Sequence, residues 1–341
     1  MTTFPTPTAA MDRRALLAGA AGLAALPLAA CDDKAMKDVK ARLNPTQAAA
    51  ETAPAATPAP ATAPAPGAGP APSAVVNGVK AASSPWSFAA FQTAMEASGR
   101  PSAITEPQWT EIQTRKPAAI ARIKTYLEGR FNGVADPNVL AAFEAVPREY
   151  FHYAYAQAAS TAYQAYEADP KPWAIGHGSV LSDYLGQAYM TQLAAPRPTD
   201  VTLEIGTGSG FQSSLLSRVV RDAYTIEIIE PIGRAVDRIF APLGYSNVHG
   251  KVGDGYFGWP EVTEGFDTIM LTCVAQYAPP ELFRQLKPGG KLIIPIGQPF
   301  RRGQVLYVYT KDAEGRVHSR RDVGVFFIPM TGAMQARPKP G

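Results

Sequence analysis

The sequence predicts an α/β protein in which a doubly wound, mostly parallel sheet is joined to a helical N-terminal cap. Three observations predict this class. From Asp200 onward, short apolar runs alternate with segments of helical spacing, which is typical of strand–helix units in a parallel sheet. A glycine-rich turn at 206–210 joins the first of these strands to a helix. Residues 86–198 have apolar residues at three-to-four spacing, which indicates helices.

Residues 1–31 resemble a bacterial lipoprotein signal peptide. Arg13 and Arg14 precede an apolar run of 16 residues, shorter than the roughly 20 residues of a membrane-spanning helix. The arginine pair resembles a twin-arginine export signal, and Leu-Ala-Ala-Cys resembles a lipobox. We therefore expect lipidation at Cys31 and an exported protein anchored to a membrane, facing the periplasm or the cell exterior. The alternatives are an uncleaved anchor, or a cytoplasmic protein that does not use the signal.

The segment that follows, residues 32–85, is predicted to be a disordered linker. Residues 45–72 contain eight Pro and twelve Ala, a composition that cannot build a core and favours an extended tether. With the lipobox it forms a predicted stalk. Residues 333–341 are predicted to be a disordered tail.

Composition and charge exclude two kinds of site. A net charge of +3 over 341 residues, without a basic stripe, gives no reason to expect a nucleic-acid partner. Four scattered His and no Cys/His cluster predict no metal site. With Cys31 lipidated, Cys273 has no cysteine to pair with, so no disulfide is expected.

The cap, residues 86–198, contains several helix signals. Asp136 and Pro137 have the residue types of an N-cap and a first helical position. A tyrosine-rich run at 150–166 is predicted to be a packing face, with a substrate groove as the alternative.

The second domain, residues 199–332, contains the strands. Five apolar runs predict buried strands: VTLEI, AYTIEII, NVHGKV, FDTIMLTCV and KLIIPIG. Downstream, a turn signal at Asp312 to Gly315 predicts a hairpin, and hence antiparallel strands at one edge of the sheet.

The glycine turn suggests which ligand the sheet holds. Glycines stand at 206, 208 and 210, whereas a dinucleotide fingerprint needs its third glycine where this chain has Phe211. The turn therefore favours a ligand without phosphates, although a glycine turn can also serve geometry alone. Its cofactor-binding candidates are Glu204, Gly206, Thr207, Gly208 and Gly210.

Two acids end the next two strands at the same edge of the sheet. Glu227 lies 21 residues after Gly206 and is placed to accept both hydroxyls of a ribose. Asp254, followed by Gly255, is placed to meet the amino group of adenine. The alternatives are a solvated strand-end acid for Glu227 and a turn cap for Asp254. Together with the turn, these residues predict S-adenosylmethionine as the cofactor and a Rossmann-like methyltransferase fold.

Several segments resemble the protein-L-isoaspartate O-methyltransferase family. They span about Pro117 to Gly332 and comprise GVADPNVLAAFEAVPREYF, IGHGSVLSD, LEIGTGSGFQSSLLS, VGDGYFGWPE, FDTIMLT, LKPGGKLIIPIG and GVFFIPMTG, with an interruption between His152 and Trp173. The resemblance implies methyl transfer to the stray carboxylate of L-isoaspartyl residues in damaged proteins. The ester then closes to a succinimide, which reopens partly to aspartate, so the implied function is protein repair.

The resemblance also identifies the segment IGHGSVLSD as a substrate loop. In this loop the chain departs from the family pattern. It implies that Ser182 is the catalytic hydroxyl that holds the substrate carboxylate and that Ser179 helps to bind the substrate; the alternative for Ser182 is a hydroxyl that only serves the turn. Val180 replaces a family hydroxyl, and one lost hydrogen bond to a charged group is worth roughly 1.5–3 kcal/mol. Tyr184 stands where the family has a proline, and after the fourth strand Val274, Gln276 and Tyr277 replace smaller residues.

Two other functions remain open. The altered loops favour a methyltransferase for a different carboxylate or a modified peptide. The predicted export favours a membrane-tethered binding module with little turnover, because S-adenosylmethionine is made in the cytoplasm.

Overall fold

A computed structural model of the protein describes residues 86–336, together with the backbone of two short paired strands, β1 (Val75–Val76) and β2 (Val79–Lys80). These strands fall inside the predicted linker, so that prediction is wrong for their four residues. The signal peptide with Cys31, the rest of the linker and the residues after 336 lie outside the described residues. No helix in the described part is long and apolar enough to cross a membrane.

Five helices form the N-terminal cap. They are α1 (Phe88–Ala97), α2 (Glu106–Arg130), α3 (Pro137–Ala145), α4 (Arg148–Phe151) and α5 (Tyr184–Ala194). Asp136 caps α3 by accepting the N–H of Asn138 at 2.8 Å, and Pro137 is its first residue, as predicted.

Two small hairpins interrupt the cap between α4 and α5, where the helical pattern had predicted no strands. They pair β3 (Tyr153–Ala154) with β4 (Ala159–Ser160), and β5 (Trp173–Gly176) with β6 (Ser179–Leu181). Most of the tyrosine run packs inward, since Tyr150, Tyr153 and Tyr166 are buried while Tyr163 is exposed. The prediction of a packing face is confirmed for these three residues.

A seven-stranded sheet follows the cap. Its strands are β7 (Val201–Ile205), β8 (Asp222–Glu227), β9 (Val248–Val252), β10 (Phe266–Leu271), β11 (Leu286–Ile296), β12 (Gln304–Lys311) and β13 (Val317–Val325). Their order is β13-β12-β11-β10-β7-β8-β9. The five strands from β7 to β11 are parallel, while β12 and β13 are antiparallel additions at one edge. The predicted doubly wound sheet with antiparallel C-terminal strands is therefore confirmed.

Three crossover helices cover the sheet: α6 (Phe211–Val219), α7 (Glu230–Val236) and α8 (Pro280–Gln285). The cap packs on α6, where the ring of Phe211 contacts Phe143 and Phe151 with centroids 5.9 and 5.4 Å apart. Strand order reverses between β7 and β10, and ligands of open α/β sheets bind beyond the carboxyl ends of the strands at such a point.

The C-terminal segment departs from its prediction. A short helix, α9 (Ala333–Ala336), stands where a disordered tail was expected from residue 333. Met334 is buried in the core, and the N–H of Ala333 donates to Asp254 at 2.7 Å. Residues 333–336 therefore belong to the folded domain.

Candidate functional site

A cavity of about 300 Å³ lies at the carboxyl ends of β7, β8 and β10, beside the β5–β6 hairpin and the residues that lead from it into α5. It brings together nearly all the predicted site residues, namely Ser179, Ser182, Glu204, Gly206, Thr207, Gly208, Glu227, Asp254 and Gly255. The cofactor and substrate candidates therefore share one cavity.

The glycine turn has a conformation that L side chains rarely adopt. Gly206 has φ +99°, and a Cβ on it would stand 2.8 Å from Oγ1 of Thr272. That hydroxyl donates to the carbonyl of Gly206 at 2.6 Å and so fixes the turn against the end of β10. Thr272 also lines the cavity, although sequence reasoning gave it no role. Its position directly after the fourth strand is the signal that could have identified it.

Gly208 brings the turn against the substrate loop. It has φ +51°, and a Cβ on it would lie 3.4 Å from the hydroxyl oxygen of Ser179. The cofactor turn and the substrate loop thus form adjoining walls of the cavity.

Gly210 packs closely against a neighbouring segment. It begins α6 with φ +81°, and a Cβ on it would lie 2.7 Å from Cδ1 of Ile239. It is absent from the cavity wall. Gly210 thus allows close packing at the start of the helix, and its assignment as a cofactor-binding residue stays a prediction.

Glu227 is held in place by the backbone around it. One of its carboxylate oxygens accepts the N–H of Gly208 at 2.8 Å and the other accepts the N–H of Ile229 at 2.9 Å. Burial raises the pKa of Glu227, and these backbone donors oppose that shift. Each oxygen retains a further acceptor position, which suits a pair of neighbouring hydroxyls.

Glu204 lies deeper in the same wall. It accepts the hydroxyl of Thr225 at 3.0 Å, and burial raises the pKa of Glu204 to about 8. Its carboxyl group is consequently protonated over most of the neutral range, and it can both donate and accept hydrogen bonds there.

Asp254 combines the two roles that were weighed for it. Its side chain accepts the N–H of Tyr256 at 2.9 Å and so caps the short turn at 255–257. Its other oxygen accepts the N–H of Ala333 at 2.7 Å, while the residue lines the cavity. Asp254 is thus both a turn cap and part of the cavity wall.

The buried side chain of Arg148 holds the substrate loop in place through hydrogen bonds. Its guanidinium donates to the carbonyl of Ser182 at 2.7 Å and to Oε1 of Gln187 at 2.7 Å. Burial lowers the pKa of Arg148 to about 10, so the group stays charged at neutral pH. Arg148 belongs to the family-like segment VPREYF, from which no role had been inferred.

Apart from Val180, the residues that depart from the family pattern do not line this cavity. The hydroxyl of Tyr184 accepts from Arg122 at 2.9 Å and donates to the carbonyl of Glu167 at 2.8 Å, which ties α5 to the cap. Val274 and Tyr277 are buried in the core and Gln276 is exposed. Among these substitutions, only Val180 changes the surface of the cavity.

A second, smaller cavity of about 60 Å³ adjoins the first. Its wall is mostly apolar and is built by α5 and the β12–β13 edge, including Tyr189, Met190, Leu306 and Phe327. The residues shared by both cavities are Val180, Ser182, Gln187, Gln212, Thr272 and Ile328. We call this set the junction.

Metal-ligating clusters and ionised thiols are not found among the described residues of the site. The described residues include no group of three or more His, Cys, Asp or Glu that could hold a metal ion. Burial raises the pKa of the Cys273 thiol, so this cavity residue is un-ionised at neutral pH and a poor nucleophile.

Comparison with known proteins gives consistent results. Residues 125–335 match the family model for protein-L-isoaspartate(D-aspartate) O-methyltransferase (PCMT). The chain is 42% identical over 201 residues to protein-L-isoaspartate O-methyltransferase 1 of Nitrosospira multiformis, which covers 59% of this chain and 81% of the relative. It is 41% identical over 227 residues to the protein of the same name from Cupriavidus necator, which covers 66% and 83%. A solved protein-L-isoaspartate O-methyltransferase structure is 25% identical with a TM-score of 0.53, covering 64% of this chain and 67% of that one.

Proposed function

Since this chain belongs to the protein-L-isoaspartate(D-aspartate) O-methyltransferase family, we propose that it methylates the free carboxylate of L-isoaspartyl residues in damaged proteins, with S-adenosylmethionine as the methyl donor. One observation carries the proposal. A single cavity is walled on one side by the glycine turn and Glu227, and on the other by the loop that contains Ser182.

The cavity wall suits S-adenosylmethionine. Glu227 presents two fixed carboxylate oxygens to a ribose. At Gly206 and Gly208 no side chain separates the backbone from a ligand, and Asp254 adds an acceptor for an exocyclic amine. Among the described residues, none that lines the wall is a lysine or arginine, the side chains that would meet a phosphate group. When bound, the cofactor supplies a methyl group on a positively charged sulfur.

The protein contributes to the methyl transfer mainly by positioning the acceptor carboxylate. An α-carboxyl group has a pKa of about 3.5, so the acceptor is already an anion at neutral pH and needs no general base. The chain has to align that anion and keep water away from it. Ser182 supplies a hydroxyl donor at the junction, and Val180 and Ile328 supply apolar surface there.

The activity is tested with labelled S-adenosylmethionine and two peptides that differ only in one isoaspartyl or aspartyl linkage. We expect label on the isoaspartyl peptide alone, as a base-labile methyl ester. Equal labelling of both peptides, or of neither, rejects repair methylation.

A second candidate is methylation of a different carboxylate or a modified peptide. Val180 favours it, because a methyl group stands at the junction where the family pattern has a hydroxyl. A protein that binds S-adenosylhomocysteine and labels cellular proteins, but not the isoaspartyl peptide, would support this candidate. A tethered binding module would instead fail to bind S-adenosylhomocysteine.

We also propose that the protein is exported and anchored through an acylated Cys31. Arg13 and Arg14, the short apolar run and the lipobox support this, and each buried methylene of an acyl chain adds about 0.8 kcal/mol to membrane binding. Cell fractionation with external protease tests the proposal, with Cys31→Ser as the matched variant. We expect the parent protein in the membrane fraction and accessible to protease. Recovery of both proteins from the cytosol would contradict export.

A further inference from the structure

The junction contains two buried glutamines, Gln187 and Gln212, that the proposed mechanism does not use. An amide has an oxygen that only accepts and a nitrogen that only donates, so its orientation decides which ligand it can meet. In both residues a neighbouring side chain fixes that orientation.

Gln187 is oriented by Arg148. A guanidinium has donors and no acceptor, so the atom that meets its Nη1 at 2.7 Å has to be the amide oxygen. The opposite amide nitrogen of Gln187 has no hydrogen-bond partner among the described residues. Gln187 lines both cavities, and its two free N–H groups are therefore donors available at the junction.

Gln212 is oriented in the opposite sense. The hydroxyl of Thr191 uses its one hydrogen to donate to the carbonyl of Gln187 at 2.7 Å, so it can only accept from Gln212. The amide nitrogen of Gln212 fills that role at 2.8 Å, which leaves its buried oxygen without a partner in the described residues. One of the two amide N–H groups of Gln212 is thus used on Thr191, whereas both N–H groups of Gln187 are free within the described part of the chain.

We propose that Gln187 is a second hydrogen-bond donor to the substrate carboxylate, oriented by Arg148, and that it replaces the donor missing at Val180. This inference rests on the proposed function. Arg148 is a positioning residue, since it holds both carboxylate donors in place: the amide of Gln187 through its oxygen, and Ser182 through its carbonyl.

The location favours the substrate over the cofactor. Gln187 borders the second cavity together with Ser182 and Val180, whereas Glu227 and Asp254, the predicted ribose and adenine partners, border only the first. The acceptor carboxylate has to lie where the two spaces meet, beside both donors.

The test uses two substitutions at this position. Gln187→Glu keeps an oxygen for Arg148 while replacing the donor with a repelling oxygen, so it preserves the local packing. Gln187→Leu removes the amide altogether. The matched control is Gln192→Leu, which removes a buried amide from the same helix, where it bonds to Asp136 and Val134 away from both cavities.

We measure kcat and KM for the isoaspartyl peptide, its binding to the protein saturated with S-adenosylhomocysteine, and the affinity for S-adenosylhomocysteine itself. Both Gln187 variants should lower kcat/KM by about 10- to 100-fold and weaken peptide binding, with unchanged S-adenosylhomocysteine affinity. Val180→Thr should restore at least part of the loss in the Gln187→Leu background, because it supplies a hydroxyl donor. The Gln192→Leu protein should retain parental peptide kinetics.

Each contrary result identifies what has failed. Weakened S-adenosylhomocysteine binding in the Gln187 variants would assign this residue to the cofactor and overturn the proposal. Unchanged peptide kinetics in those variants, with an active parent protein, would overturn it while leaving the proposed function intact. A parent protein that neither methylates nor binds the isoaspartyl peptide would overturn both.

Discussion

Replacing Glu227 with glutamine tests the cofactor site most sharply. Both carboxylate oxygens already accept backbone N–H groups, from Gly208 and Ile229. An amide has only one acceptor, so in Glu227→Gln a donor would face a donor on one side, and one ribose hydroxyl would lose its acceptor. A hydrogen bond to a charged group is worth about 1.5–3 kcal/mol. We therefore expect S-adenosylhomocysteine to bind about 10- to 150-fold more weakly.

Titration calorimetry measures this difference, and two controls isolate its cause. Asp237→Asn removes an exposed carboxylate from outside the cavity wall and should leave the affinity unchanged. A 2′-deoxy analogue should bind the parent protein more weakly than S-adenosylhomocysteine does. This loss of affinity should be smaller in the Glu227→Gln variant. An unchanged affinity in Glu227→Gln, or an equal loss in Asp237→Asn, would refute the reasoning about the ribose.

Three further predictions concern the walls of the site. Gly208→Val should abolish S-adenosylhomocysteine binding in calorimetry, because φ is +51° and a Cβ would lie 3.4 Å from Oγ of Ser179; parental affinity would contradict this account of the turn. The pKa of Glu204 is about 8 in the folded protein, against an ordinary value near 4.3. Between these pH values the folded protein therefore binds one proton more than the unfolded chain at this carboxyl. The free energy of unfolding consequently falls as the pH rises from about 4.3 to about 8. Urea unfolding should show that Glu204→Gln removes a slope of about 1.4 kcal/mol per pH unit, and equal slopes would show that the pKa is not raised. Arg148→Met should lower the free energy of unfolding by about 3 kcal/mol or more, because three buried oxygens would lose their donor: the carbonyls of Ala165 and Ser182 and the amide oxygen of Gln187. A loss below about 1 kcal/mol would mean that these oxygens find other partners.

The parts of the site that the sequence predicted are those fixed by local structure. The carboxyl ends of parallel strands meet at one edge of a sheet, so Gly206, Glu227 and Asp254 could be brought together from strand ends alone. The sheet class followed from the alternation of strand and helix runs, and the antiparallel edge followed from the turn signal at Asp312 to Gly315.

The parts that were missed depend on packing between distant segments. Gln187 lies in a helix whose spacing indicated no special role, and only its contact with Arg148, 39 residues away, gives its amide an orientation. The packing contact of Gly210 was missed because a glycine that allows helix packing cannot be distinguished from one that meets a ligand by spacing alone. The ordered helix at 333–336 was missed because its anchor, Asp254, lies 79 residues earlier.

Methylation of isoaspartyl carboxylates in this cavity underlies the roles proposed for its residues. Its most direct test is transfer of labelled methyl from S-adenosylmethionine to an isoaspartyl peptide and its aspartyl twin, with the purified protein and its Ser182→Ala variant. We expect a base-labile ester on the isoaspartyl peptide only, at a kcat/KM about 10-fold or more lower in Ser182→Ala. Label on neither peptide, on both equally, or unaffected by loss of the Ser182 hydroxyl would contradict it.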